Sequence, residues 1–261
     1  MPYQFGSPLD RPVNLSDAPP KLFFISSSDL LAVRPGTQSR SETYKSQDGG
    51  QSWIEMKQPT SPNVDPDSLS LHFTDTARGW LGSSSWIRCV SNREISPCYT
   101  VLFTTRDGGH SWRQLSRLLP VPFGTVRPFT LSFDDEQNGV ALTGGTYLLR
   151  TADGGENWGL RDLSGVMTAT SVSYAHGQLW VTGYTRSNRT VGTLDGVLAH
   201  SGDGGFSWQT YRLPTLLPRA VQFTNLTEGW LQARAHELPS ALFHTRDGGQ
   251  SWQQVWPQLT P

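Results

Sequence analysis

The sequence predicts an all-β fold built from five repeated four-stranded units, and three observations predict it. An octapeptide of fixed pattern returns five times, each return is framed by the same order of strand-like runs, and the composition is turn-rich and aromatic-rich. Among 261 residues there are 26 glycines, 18 prolines and 10 tryptophans, whereas charged residues make up only 16%. Glycine and proline punctuate turns, and aromatic side chains suit a pleated, half-buried surface better than a helix.

The octets are "SQDGGQSW" at 46–53, "TRDGGHSW" at 105–112, "TADGGENW" at 151–158, "SGDGGFSW" at 201–208 and "TRDGGQSW" at 245–252. The successive aspartates Asp48, Asp107, Asp153, Asp203 and Asp247 lie 59, 46, 50 and 44 positions apart. A period of that length means one supersecondary unit per repeat. In each unit a first run ("LFFIS", "SLSLHF", "FTLSF", "TSVSY", "AVQFT") is followed by a polar turn and a second run ("LLAV", "GWLGSS", "GVALTG", "LWVTG", "GWLQA"). After a loop of variable length comes a third run, then the octet, then a fourth run starting at its tryptophan. Four short antiparallel strands per unit is the blade of a β-propeller. Five units leave too little chain for a sixth, so the expected organisation is an N-terminal extension over 1–20 and one five-bladed propeller over 21–261.

Each octet has the chemistry of a fastener between third and fourth strands. Aspartate accepts hydrogen bonds from backbone N–H groups two or three positions on, the glycine pair supplies the positive φ of a tight hairpin, and the Ser/Thr hydroxyl closes the other side. The rings of Trp53, Trp112, Trp158, Trp208 and Trp252 fill gaps between neighbouring strands. Copies spread around a propeller cannot converge on one substrate, so these aspartates are read as structural, with no metal and no cofactor expected.

This pattern resembles the Asp-box, or BNR, repeat, Ser/Thr-x-Asp-x-Gly-x-Ser/Thr-Trp, with Asn157 the one departure. Gly79-Trp80 and Gly229-Trp230, each following a first strand, are similar to the branch that includes photosystem II assembly factors and many secreted bacterial proteins. The resemblance covers residues 21–256. It implies the fold; its members include sialidases, other glycosidases, receptors and assembly factors, so it does not choose a function.

The net charge of −1 gives no global drive onto nucleic acid or membrane, and none is expected as a partner through charge. No apolar run approaches the ~20 residues of a transmembrane helix. Residues 1–20 lack the apolar core of a secretory signal, which leaves a cytosolic protein or one whose signal has been removed. Cys89 and Cys98 flank a polar turn and form either a disulfide or two free thiols; the disulfide would favour an extracytoplasmic compartment.

Recognition is expected on the face opposite the octets, where loop length varies. Of 21 basic residues 18 are arginines, and that face collects Arg34, Arg88, Arg93, Arg186, Arg189 and Arg234. Arg127 and Arg219 each precede a first strand, near the mouth of the central channel, where they either grip a carboxylate or cap strand ends. Trp86 and His236 offer stacking surface in long loops. Arginines dispersed as solubilising charge remain the plain alternative to a basic face.

Two functions from different classes follow. One is a non-catalytic scaffold that recognises a protein partner or an anionic ligand, an anionic glycan included, as an assembly or accessory factor of a larger membrane or photosynthetic complex. The other is a sialidase-like glycosidase on the same face. Sialidase chemistry needs three arginines on a carboxylate, a Tyr with a Glu partner and an acid/base Asp; Tyr147, Tyr174 and Tyr184 have no Glu nearby in sequence. Phosphate loops, nucleophile elbows and metal-ligand spacings are absent. The binding reading is preferred.

Overall fold

The computed structural model describes residues 21–35, 41–56, 70–84, 100–115, 130–142, 145–163, 165–186, 194–235 and 238–256. Blade 1 consists of β1 (Lys21–Phe24), β2 (Leu30–Pro35), β3 (Ser41–Ser46) and β4 (Ile54–Met56). Blade 2 consists of β5 (Ser70–Phe73), β6 (Gly79–Ser84), β7 (Thr100–Thr105) and β8 (Arg113–Gln114). Blade 3 holds β9 (Thr130–Phe133), β10 (Gly139–Leu142), β11 (Tyr147–Thr151) and β12 (Gly159–Asp162). Blade 4 holds β13 (Thr168–Ala175), β14 (Gln178–Arg186), β15 (Leu194–Ser201) and β16 (Gln209–Leu213). Blade 5 holds β17 (Leu216–Phe223), β18 (Gly229–Ala235), β19 (Leu238–Thr245) and β20 (Gln253–Trp256).

Every blade is one four-stranded antiparallel sheet in sequence order, and there is no helix among the described residues. The fold is therefore an all-β, five-bladed propeller, with the octets as the turns between third and fourth strands. The fourth strands start one residue later than expected, because each octet tryptophan closes its turn.

The chain forms two compact units, Met1–Gly124 with blades 1 and 2, and Thr125–Pro261 with blades 3 to 5. In the first, Val33, Leu81 and Phe103 pack with Phe23, Leu71 and Trp112. In the second, the apolar run Gly139–Leu142 is buried on both faces, which is why it reads as continuous rather than alternating. Trp180 of blade 4 stacks on Phe223 of blade 5 with centroids 4.1 Å apart and planes 9° from parallel.

First strands of successive blades in the second unit belong to different sheets, so no backbone ladder satisfies the N–H groups between them. Serine hydroxyls do so instead: Ser132 Oγ accepts from Tyr174 N at 2.9 Å, Ser171 Oγ from Val221 N at 3.2 Å and Ser173 Oγ from Phe223 N at 2.9 Å. The glycine of the "GW" and "GV" pairs has a steric cause. The ring of Phe73 lies across Gly79, that of Phe133 across Gly139 and that of Phe223 across Gly229, and a Cβ on Gly139 would meet the Phe133 ring at 2.3 Å.

Candidate functional site

The octets close in the same way five times. In the third, Thr151 Oγ1 donates to Asp153 Oδ1 at 2.8 Å and accepts from Gly155 N at 2.9 Å. Asp153 also accepts from Asn157 N at 2.9 Å and Asn157 Nδ2 at 2.8 Å. The carboxylate thus reaches four positions on, further than the two or three expected. The reason is the glycine pair: Gly154 and Gly155 sit at φ +72° and +99°, which wraps the chain around the carboxylate. Asn157, the departure from the pattern, supplies an amide where the other octets supply the hydroxyls of Ser52, Ser111, Ser207 and Ser251.

These bonds hold the carboxylates ionised. The Ser52 hydroxyl and amide bring Asp48 down to about 2, and the Ser251 hydroxyl and amide do the same for Asp247. For Asp107 desolvation pushes upward, but the Ser111 hydroxyl and amide outweigh it and the value is again about 2. Folded values below the ordinary 3.8 mean that this stabilisation is fully present above pH 3.8 and is lost as pH falls through about 2. Burial lowers His200 from its ordinary 6.5, so a smaller loss begins as pH drops below that value. Urea midpoints measured against pH are expected to show a shallow decline below 6.5 and a steep one between 3.8 and about 2. In Ser111→Ala the steep portion weakens; an unchanged profile in that variant would refute the assignment to the octets.

Two further repeated devices escaped the sequence reading. In the turn after each first strand of blades 2, 3 and 5, Asp75, Asp135 and Asn225 accept from the amides two and three positions on. The same turns then receive an octet amide, as when Gly154 N donates to Gln137 O at 2.9 Å. The residue just before the octet is the second device. Lys45 is buried and its Nζ donates across to Gly108 O at 3.0 Å in the next octet, and the Arg150 side chain lies against Gly204 of the octet after its own. The signal was available: a polar residue (Lys45, Thr104, Arg150, His200, His244) stands before every octet.

The predicted arginines are placed as follows. Arg34, Arg186 and Arg234 stand near the ends of β2, β14 and β18, on strands rather than in loops. Arg219 lies inside β17 rather than ahead of it. It is the extra residue of a bulge between Pro218 and Ala220, which turns its side chain out to solvent. Arg234 pairs across the strands with Leu217, two residues from that bulge, and is also exposed. Among the described residues neither arginine is paired with a carboxylate. Thr170 is the corresponding bulge residue in blade 4, and its hydroxyl donates to Thr182 O and Pro218 O, so the same bulge holds blades together there and presents a cation here. Arg88, Arg93, Arg127, Arg189, Trp86, His236, Cys89 and Cys98 lie outside the described residues.

A Tyr–Glu pair does exist, and it is not one that was anticipated. Tyr44 Oη donates to Glu42 at 2.8 Å, two residues away on β3. This is a third strand, with Ala32 and Glu55 as the cross-strand neighbours of Tyr44. Tyr174 is buried on β13, and Tyr147 and Tyr184 are half-buried. Among the described residues no group of three or more His, Cys, Asp or Glu is placed to hold a metal ion, and no helix is long and apolar enough to cross a membrane.

No family model matches the chain. Its sequence is 28% identical over 132 residues to the photosystem II assembly lipoprotein Ycf48 of Synechococcus sp. (strain CC9902), a stretch that is 49% of this chain and 36% of that protein. The chain resembles Ycf48. The match takes in about a third of that curated relative's length. Among solved structures, YCF48 bound to D1 peptide aligns over 93% of this chain and 86% of its own, at 17% identity and a TM-score of 0.41. The α-L-arabinofuranosidase Arb93A of Fusarium graminearum, with an iminosugar inhibitor, aligns over 94% and 82% at 14% identity and a TM-score of 0.59. At such identity the glycosidase likeness is one of fold.

Proposed function

We propose that this propeller is a non-catalytic binding protein that takes a protein partner through an arginine-bearing face and serves as an assembly or accessory factor of a larger membrane complex. The observation that carries the reading is the bulge in β17. It holds Arg219 in solvent beside Arg234, two cations that no carboxylate among the described residues neutralises. Unpaired, planar guanidinium groups on a rigid sheet suit bidentate recognition of carboxylates. The sequence similarity to an assembly lipoprotein supports the same reading, and a lipoprotein is held at a membrane surface, which favours an extracytoplasmic location. The glycosidase alternative draws no comparable support: the likeness to Arb93A is at 14% identity and is one of fold, and the described Tyr–Glu pair joins two residues of a single third strand.

Arg34, Arg88, Arg93, Arg127, Arg186 and Arg189, with Trp86 and His236, are proposed as further partner-binding residues. A D1 peptide is the first probe, since a protein of the relative's name has been solved with one. Fluorescence anisotropy of the labelled peptide is expected to show binding that weakens with ionic strength. The double substitution Arg219→Ala with Arg234→Ala should lower affinity by about 10-fold or more, roughly the effect of losing one to two kcal/mol of charge-assisted contact. Equal binding by the double variant would exclude this face. If the peptide does not bind, co-purification from native extract decides whether another protein does.

A further inference from the structure

We propose that the seam between blades 3 and 4, on the octet side, is a second docking site, one that takes an acidic segment of a protein partner through Arg150, Arg161 and Phe206.

The argument starts from two departures from the internal repeat. The strand position opposite the residue three before each octet is Met56 in blade 1, Tyr211 in blade 4 and Trp256 in blade 5, but Arg161 in blade 3. The sixth octet position is Gln51, His110, Glu156 and Gln250 in four blades, but Phe206 in blade 4. Apolar has become charged at one place and polar has become aromatic at the other. Each change stands alone among the positions compared. Yet the two side chains meet: the Arg161 guanidinium lies over the Phe206 ring, 4.1 Å from its centroid, while Phe206 is 74% exposed.

Arg150 completes the group. Leu148 pairs with Arg161 and Arg150 with Gly159, so both arginines project from the same face of blade 3, toward the octet of blade 4. Arg150 packs against Gly204 and Arg161 against Gly205. Two like charges side by side on one sheet face repel, and a neutralising acid is the usual remedy. None is present among the described residues: Arg150 reaches only Asn138 Oδ1 at 3.5 Å, and Arg161 only Leu160 O at 2.9 Å. The adjacent Asp203 has its oxygens engaged by Ser201, Ser207 and the Phe206 amide. Three buried donors at this seam, Arg150 Nε, Arg161 Nε and Trp208 Nε1, have no acceptor among the described residues. A cation pair with no counter-charge among the described residues, roofed by an exposed aromatic ring, fits a carboxylate flanked by apolar side chains.

A peptide fits better than a lipid surface. An anionic bilayer presents a plane of negative charge that would meet the neighbouring ionised octet carboxylates Asp153 and Asp203 at once, both of which are held below the ordinary range by their hydrogen bonds. A peptide segment can be confined to the seam.

The test uses the full chain and a short fluorescein-labelled peptide alternating glutamate and leucine, with the same peptide carrying lysine for glutamate, and phosphatidylserine-containing vesicles, as comparators. The glutamate peptide is expected to bind, with about 10-fold loss in Arg161→Gln and in Phe206→Ser, recovery in Arg161→Lys, and no loss in the Arg219→Ala, Arg234→Ala double variant. That last arm separates this site from the arginine face proposed above. Phe206 is exposed, so its substitution leaves folding intact. The proposal is overturned if the glutamate peptide fails to bind at millimolar concentration, if it binds Phe206→Ser and Arg161→Gln like the wild type, or if the chain instead partitions onto the vesicles through Phe206.

Discussion

Trp180→Ala is expected to destabilise the fold by about 3–5 kcal/mol, the range for emptying a packed aromatic site in a core that cannot collapse. Trp180 is 2% exposed and lies on β14 against the first strand of the next blade. Its ring stacks on Phe223 at 4.1 Å, Phe223 meets Trp252 edge-on at 6.2 Å, and His200 lies on Trp180 at 5.2 Å. Removing the indole therefore opens a void and also frees Phe223, the ring that requires glycine at position 229. Urea unfolding of the full chain is the measurement, and Trp230→Ala is the comparator. Trp230 occupies the corresponding position in blade 5 but is 39% exposed, so its loss should cost less than half as much. A Trp180→Ala variant within about 1 kcal/mol of wild type would mean that blades 4 and 5 are not held together by this stack.

Thr151→Val is expected to cost about 1–3 kcal/mol although it changes almost no volume. Thr151 is 1% exposed, and its hydroxyl is the acceptor for Gly155 N as well as the donor to Asp153. Valine keeps the shape and the strand preference but leaves a buried N–H with no acceptor, and that desolvation is the main cost. Thr151→Ser should restore most of the stability. Hydrogen exchange gives the local readout: the Gly155 amide should exchange far faster in the valine variant and near the wild-type rate in the serine variant. Unaltered protection in Thr151→Val would mean that the octet is not closed by its first residue.

The octets were legible because their chemistry is local. Every donor and acceptor in Asp153's network lies within the seven residues 151–157, so pattern and period suffice to recover it. The glycine of Gly79-Trp80 was visible as a repeat, but not its cause, because the ring that forbids a Cβ comes from the neighbouring strand. Arg219 was singled out for its position before a strand and is instead within one. The bulge that displays it depends on how β17 registers against β18, which strand propensity does not encode. Arg161 and Phe206 were missed altogether, being 45 positions apart and unremarkable in their own segments.

From the sequence alone came the number of blades, the order of strands within each and the fastening role of the recurrent turns, since each rests on short-range hydrogen bonding and a period that any one repeat shares with the next. Tertiary structure decided how Arg219 is turned out to solvent, which aromatic rings stack between blades 4 and 5 and which octet carries an exposed phenylalanine over a cation. Those outcomes depend on register, bulges and the packing of one sheet on another, and such contacts join residues whose separation along the chain carries no signal of their meeting.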